Sequence, residues 1–180
     1  LYLLYGSAFV YNTEKEELKE LELPGMPASV SILGVQFWQD KLILDPYDNK
    51  KEGDASMPAY LTELDGSNPR VLLEDVPQAG YFLSDGEYLY LFDDWLPDID
   101  DWLDNPGWYT VYDKNMNIVD TFRAPLMPDG KPERLPVGER ERMYYIYEEE
   151  SGSWGVMCWD KAGIGSYQGE TFSMTKIPYQ

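Results

Sequence analysis

The residues best equipped to do chemistry stand in one stretch, Asp93-Asp94-Trp95-Leu96-Pro97-Asp98-Ile99-Asp100-Asp101-Trp102-Leu103-Asp104-Asn105. It holds six Asp and two Trp and no basic residue. Those types admit three readings. Several carboxylates on one loop suit Ca2+, a hard cation that takes oxygen ligands. The spacing departs from the calcium-loop pattern, however, because Trp102 stands where a ligand is wanted and no Gly supplies the sharp turn. Alternatively, Trp95, Trp102 and the nearby Trp108 are stacking platforms for a sugar or peptide, with Asp98, Asp100 and Asp104 accepting its hydroxyl or amine hydrogens. The third reading is structural. Ile99, Trp102 and Leu103 have i, i+3, i+4 spacing, which predicts a short helix after Pro97 docked by its apolar side. Asp98, Asp100 and Asp101 would occupy its first turn, where the helix dipole favours negative charge. A second polar stretch, residues 45–54, adds Tyr47 to the candidate ligand residues, while Lys50 and Lys51 make it a poorer cation site.

Other chemistry is ruled out by composition. The 180 residues include no His and one Cys. Ser-His-Asp and Cys-His catalysis and His-ligated metals are therefore excluded. Cys158 cannot form a disulfide within the chain, and between Met157 and Trp159 it reads as a small core residue. The net charge of −19 opposes nucleic acid and anionic membranes, which need a positive footprint. The densest basic stretch, residues 134–142, is interleaved with Glu139 and Glu141 and preceded by Glu133. No apolar run is long enough for a membrane span. No cofactor is expected. Any enzyme would rest on a carboxylate pair about 5 to 10 Å apart, as in glycoside hydrolysis, with one pKa raised by burial. A sialidase-like site would also need converging arginines, and Arg70 and Arg123 fall on outer strands.

The elements that must position these residues repeat along the chain. Four segments end in Asn or Asp after an apolar residue: Val10-Tyr11-Asn12, Glu63-Leu64-Asp65, Val111-Tyr112-Asp113 and Cys158-Trp159-Asp160. The Asn/Asp positions lie 53, 48 and 47 residues apart. Asn and Asp suit a turn start because their side chains bond the backbone two residues on. Pro24, Pro77 and Pro125 each follow twelve residues later, and Pro178 follows the fourth after a Gly-rich turn with Gly163, Gly165 and Gly169. Upstream lie short apolar runs at residues 1–5, 41–45, 88–92 and 143–147. Ahead of the last three stand polar turns and further strand candidates at residues 31–38, 80–83 and 134–137. Each unit thus reads as four strands, a to d, with b not alternating, residues 88–92 being apolar at every position, and d more polar. A strand covered on both faces reads that way, and a charged edge strand protects the rim of a sheet.

Through Ser84-Asp85-Gly86-Glu87-Tyr88-Leu89-Tyr90 and Tyr109-Thr110-Val111-Tyr112-Asp113-Lys114-Asn115, the chain resembles bacterial β-propeller repeat proteins of the secreted or lipid-anchored surface type. The resemblance implies an all-β propeller of four-stranded antiparallel blades, about four of them, at residues 1–24, 30–77, 79–125 and 133–178. The first blade lacks its strand a, so further blades or a partner chain are expected beyond residue 1. In an antiparallel meander every b–c connection leaves the same side. Here residues 45–58 and 93–107 form long b–c loops on adjacent blades, and long loops on a regular scaffold often carry function. The resulting expectation is a non-catalytic module at the cell surface or outside it, taking a protein, peptide or glycan on that side. The rival is a carboxylate-based carbohydrate-active enzyme.

Overall fold

A computed structural model describes residues 2–4, 7–21, 23, 30–48, 50, 56–77, 80–93, 107–139 and 141–178. Among them the chain is all-β, with four antiparallel sheets and no α-helix. The first sheet orders β1 (Tyr2–Leu4), β2 (Ser7–Asn12) and β3 (Glu17–Glu20). The second orders β4 (Val30–Trp38), β5 (Lys41–Asp48), β6 (Ser56–Glu63) and β7 (Arg70–Pro77). The third is built from β8 (Tyr81–Ser84), β9 (Leu89–Asp93), β10 (Trp108–Tyr112) and β11 (Ile118–Arg123). The fourth holds β12 (Arg142–Glu148), β13 (Trp154–Asp160) and β14 (Thr175–Ile177). Every sheet is a meander whose spatial order follows the sequence.

The repeated Asn or Asp explains why each unit turns where it does. Asn12 accepts from the Glu14 and Lys15 backbone N–H groups at 3.0 and 3.1 Å. Asp65 accepts from Ser67 N at 2.9 Å, Asp113 from Asn115 N at 2.8 Å, and Asp160 from Ala162 N at 3.0 Å. All four side chains cap the turn that leaves the last-but-one strand of their sheet, so the sequence repeat is one hydrogen-bonding device used four times. The β4–β5 hairpin needs no such cap. Gln39 and Asp40 both take positive φ, 49° and 59°, as a two-residue type I′ turn requires.

The chain divides into two compact units, Leu1–Phe82 and Leu83–Gln180. In the first, Leu21, Leu23, Ile32, Leu42, Leu44 and Tyr60 form a buried cluster against which Val10 and Val35 pack. In the second, Tyr90 of β9 meets Trp159 of β13 edge to face, with centroids 6.0 Å apart. Phe92, Tyr109 and Phe122 continue the second core as a stack across three neighbouring strands. Leu89, Tyr90, Leu91 and Phe92 are all buried, so both faces of β9 are covered, as its unbroken apolar run predicts. Leu42, Ile43 and Leu44 on β5 are buried likewise.

Three expectations are corrected. Residues 134–137 form no strand, and the fourth sheet has three strands; Pro132 and Pro136 remove ladder donors there, leaving an isolated bridge between Leu126 and Pro132. The second sheet's long loop is shorter than residues 45–58, because β5 runs on to Asp48 and β6 begins at Ser56. Last, β12 is not covered on both faces. Tyr144 and Ile146 are 53% and 65% exposed, and they share their open face with Cys158 and Val156 of β13. The fourth sheet packs through its other face, which carries the buried Met157 and Trp159.

Candidate functional site

Of the predicted ligand residues, Trp95, Asp98, Asp100, Trp102 and Asp104 lie outside the described residues, as does the short helix expected after Pro97. Trp108 opens β10, opposite Asp93 on one side and Arg123 on the other. It is 37% exposed, but the Arg123 guanidinium sits 4.9 Å from its ring centroid, a cation–π contact that occupies one face of the indole. Among the described residues no group of three or more carboxylate or Cys side chains is placed to hold a metal ion.

Tyr47 lies on β5 opposite Ser31, and it lines a cleft that sequence reasoning passed over. The cleft begins with a β-bulge. Register slips between Ile32 and Gly34, which leaves Leu33 exposed and sets Gly34 opposite Asp45. A bulge re-aims side chains at a sheet margin. A Cβ at Gly34 would lie 2.9 Å from Asp45 Oδ2, so a larger residue there would displace the carboxyl. The Asp45 carboxyl is consequently held in the wall of a cavity of about 280 Å3, between Pro46, Tyr47, Met57 and Tyr81. Apolar walls disfavour its charged form, and burial pushes its pKa up to about 7; a hydrogen bond from the Phe82 backbone pulls weakly the other way. A lone Asp within a strand carries no sequence signal of this. The shift depends on Met57 and Tyr81, twelve or more residues away and brought in by the sheet.

A second cleft belongs to the fourth sheet. It surrounds the β12–β13 turn, has a volume of about 820 Å3, and its lining includes Tyr145, Tyr147, Trp154, Glu148, Glu149 and Glu150 together with Lys131 and Lys176. The turn is firmly built. Glu149 N donates to Ser153 O at 2.7 Å, Gly152 N donates to Glu149 O at 2.8 Å, and Gly152 takes φ +79°. Glu149 is engaged by Lys176, by the Ser153 hydroxyl at 3.0 Å and by the Tyr147 hydroxyl at 3.4 Å; the Lys176 bond first, then Ser153, holds its pKa below the usual range. Asp129 pairs with Lys131 at 3.2 Å. Glu148 and Glu150 flank the groove beside Trp154, which is 59% exposed. The groove is thus aromatic and predominantly acidic.

Two further carboxylates are structural. Asp85 accepts from Glu87 N, Tyr88 N and the Tyr90 hydroxyl at 2.9, 2.6 and 2.6 Å, and pairs with Lys161 at 3.2 Å. Asp120 accepts from Gly165, Tyr167 and Gln168 N–H groups at 2.7, 3.1 and 2.9 Å, which fastens the Gly-rich turn to β11. Both are buried and satisfied, so neither has capacity left for substrate. A carboxylate pair for glycoside hydrolysis would need a second acid in the Asp45 cleft, and none of the described residues lining it supplies one. Compared with known proteins, the chain matches no family model and no curated protein.

Proposed function

We propose that the chain is a non-catalytic binding module, with its sheets acting as propeller blades and its ligand a protein or peptide segment carrying basic side chains. The observation that supports this best is the groove at the β12–β13 turn, where Trp154, Tyr145 and Tyr147 offer apolar faces and Glu148 and Glu150 offer carboxylates. Rigid aromatic rings bury area at low entropic cost, and acidic groups among them favour Lys and Arg over neutral partners. The groove opens at the end of the fourth sheet from which its b–c connection leaves, the side favoured by the sequence.

The test is a peptide array probed with the intact chain, beside a glycan array. Binding is expected for Lys- and Arg-containing peptides, weakened about tenfold or more by Trp154→Ala and by the charge reversal Glu148→Lys. Selective binding to neutral glycans, unchanged in both variants, would overturn the reading. The rival, a carbohydrate-active enzyme, takes support from the raised pKa of Asp45. Steady turnover of nitrophenyl glycosides, abolished in Asp45→Asn, would decide in its favour.

A further inference from the structure

We infer that the cleft walled by Asp45 is a binding site for a small hydrophobic amine, whose ammonium pairs with the Asp45 carboxylate while its apolar body lies against Leu33, Pro46, Tyr47, Met57 and Tyr81. This goes beyond the groove of the fourth sheet and does not depend on it.

The case rests on geometry and on the lack of a cationic partner among the described residues. Gly34 and the bulge beside it leave room for the carboxyl, and any side chain at position 34 would press on it. A carboxylate set among apolar walls is costly unless something positive meets it. Elsewhere the chain supplies such partners: Lys41 pairs with Glu63 at 2.8 Å, and Lys161 with Asp85 at 3.2 Å. At Asp45 the interacting group is the Phe82 backbone N–H, and among the described residues no Lys or Arg lines the cleft. An ammonium brought by a ligand would fill that role. The volume of about 280 Å3 sits at the lower edge of ordinary small-molecule sites, about 300 to 1,000 Å3, which limits the ligand to about one ring and a short arm.

The same placement fixes the pH behaviour. β4, alongside Asp45, carries no titratable residue. Met57 from β6 and Val76 and Pro77 from β7 face the cleft, and the titratable groups sharing its lining are the phenols of Tyr47 and Tyr81. Asp45 is the carboxyl among the described lining residues, and it titrates near neutrality. An ammonium binds the carboxylate form, so below pH about 7 binding must first expel a proton. Affinity should rise about tenfold per pH unit up to that point and level off above it.

The experiment uses the intact chain, with benzylamine as probe and benzyl alcohol as its uncharged counterpart, followed by calorimetry and NMR titration from acid to mildly alkaline pH. Benzylamine is expected to bind at least about tenfold tighter than benzyl alcohol at alkaline pH, a margin of about 1.4 kcal/mol. That preference should vanish in Asp45→Asn and persist in Trp154→Ala, which separates this site from the groove. Calorimetry in two buffers of different ionisation heat should show about half a proton released per benzylamine near pH 7, a readout on the unaltered chain should the Asn variant fail to fold. Absence of saturable benzylamine binding, equal binding of the alcohol, or binding without proton release each overturns the proposal.

Discussion

Three aspartates show how much a carboxylate's role depends on what the fold sets against it. Asp85 and Asp120 are buried and surrounded by donors, and they act as fasteners. Asp45 has apolar walls instead, and its pKa rises to about 7. That rise implies a stability cost whose sign can be worked out. The folded chain keeps the Asp45 proton up to pH about 7, whereas the unfolded chain loses it near the ordinary 3.8. Below that lower value both states are protonated and the residue costs nothing; between the two, stability falls as pH rises, and above pH about 7 the whole penalty is present. At about 1.4 kcal/mol per pKa unit the penalty is at most about 4 kcal/mol, and water at the cleft mouth reduces it. Asp45→Asn is thus expected to leave the melting temperature unchanged near pH 4 and to raise it progressively toward pH 8. Melting curves across that range check this, and an Asn variant destabilised equally at every pH would show the carboxyl to be structural. A side chain kept at a cost to stability is what a binding site requires.

At the scale of the strand, the same apolar pattern has two outcomes. Residues 88–92 and 143–147 read alike in sequence, yet β9 is buried on both faces and β12 is open on one. Leu89→Ala is expected to cost about 2–5 kcal/mol, because the surroundings cannot close the space left behind. Ile146→Ala should cost less than about 1 kcal/mol, since its side chain stands largely in water. Urea unfolding of the two variants measures the contrast directly; equal losses would mean that β12 is covered in solution. The strands themselves were legible because apolar runs and Asn/Asp turns are local signals, and the hydrogen bonds at Asn12, Asp65, Asp113 and Asp160 carry that logic through all four sheets. Coverage by a neighbouring sheet is not local, which is why β12 was misread. Residues 134–137 form no strand for a different reason: Pro136 within them and Pro132 just before them outweigh the repeat's spacing. Of the residues lining the cleft, the sequence singled out Tyr47, through the polar stretch that opens at residue 45. Its partner Asp45 acquires its character from β6 and β8, and no spacing within residues 45–54 encodes them.

Across the whole chain the dominant fact is the net charge of −19, with 33 acidic residues against 14 basic. Charges of one sign on a folded chain repel, and salt at physiological strength limits that repulsion to about 8 Å. Two consequences carry opposite signs. Added salt screens the self-repulsion, so the melting temperature is expected to rise from low ionic strength to about 0.5 M NaCl. The same screening weakens attraction to a basic partner, so affinity for a Lys- and Arg-containing peptide should fall over that range, mainly through slower association. Ion pairs such as Arg142–Asp160 at 3.1 Å lose strength with salt as well, but both side chains are well exposed and their contribution is small beside the unpaired carboxylates. A chain that melts lower as salt is added would place its stability in those pairs and not in relief of repulsion. A peptide affinity indifferent to salt would move recognition from the carboxylates of Glu148 and Glu150 to the apolar faces of Trp154, Tyr145 and Tyr147, since apolar contact persists when charge is screened.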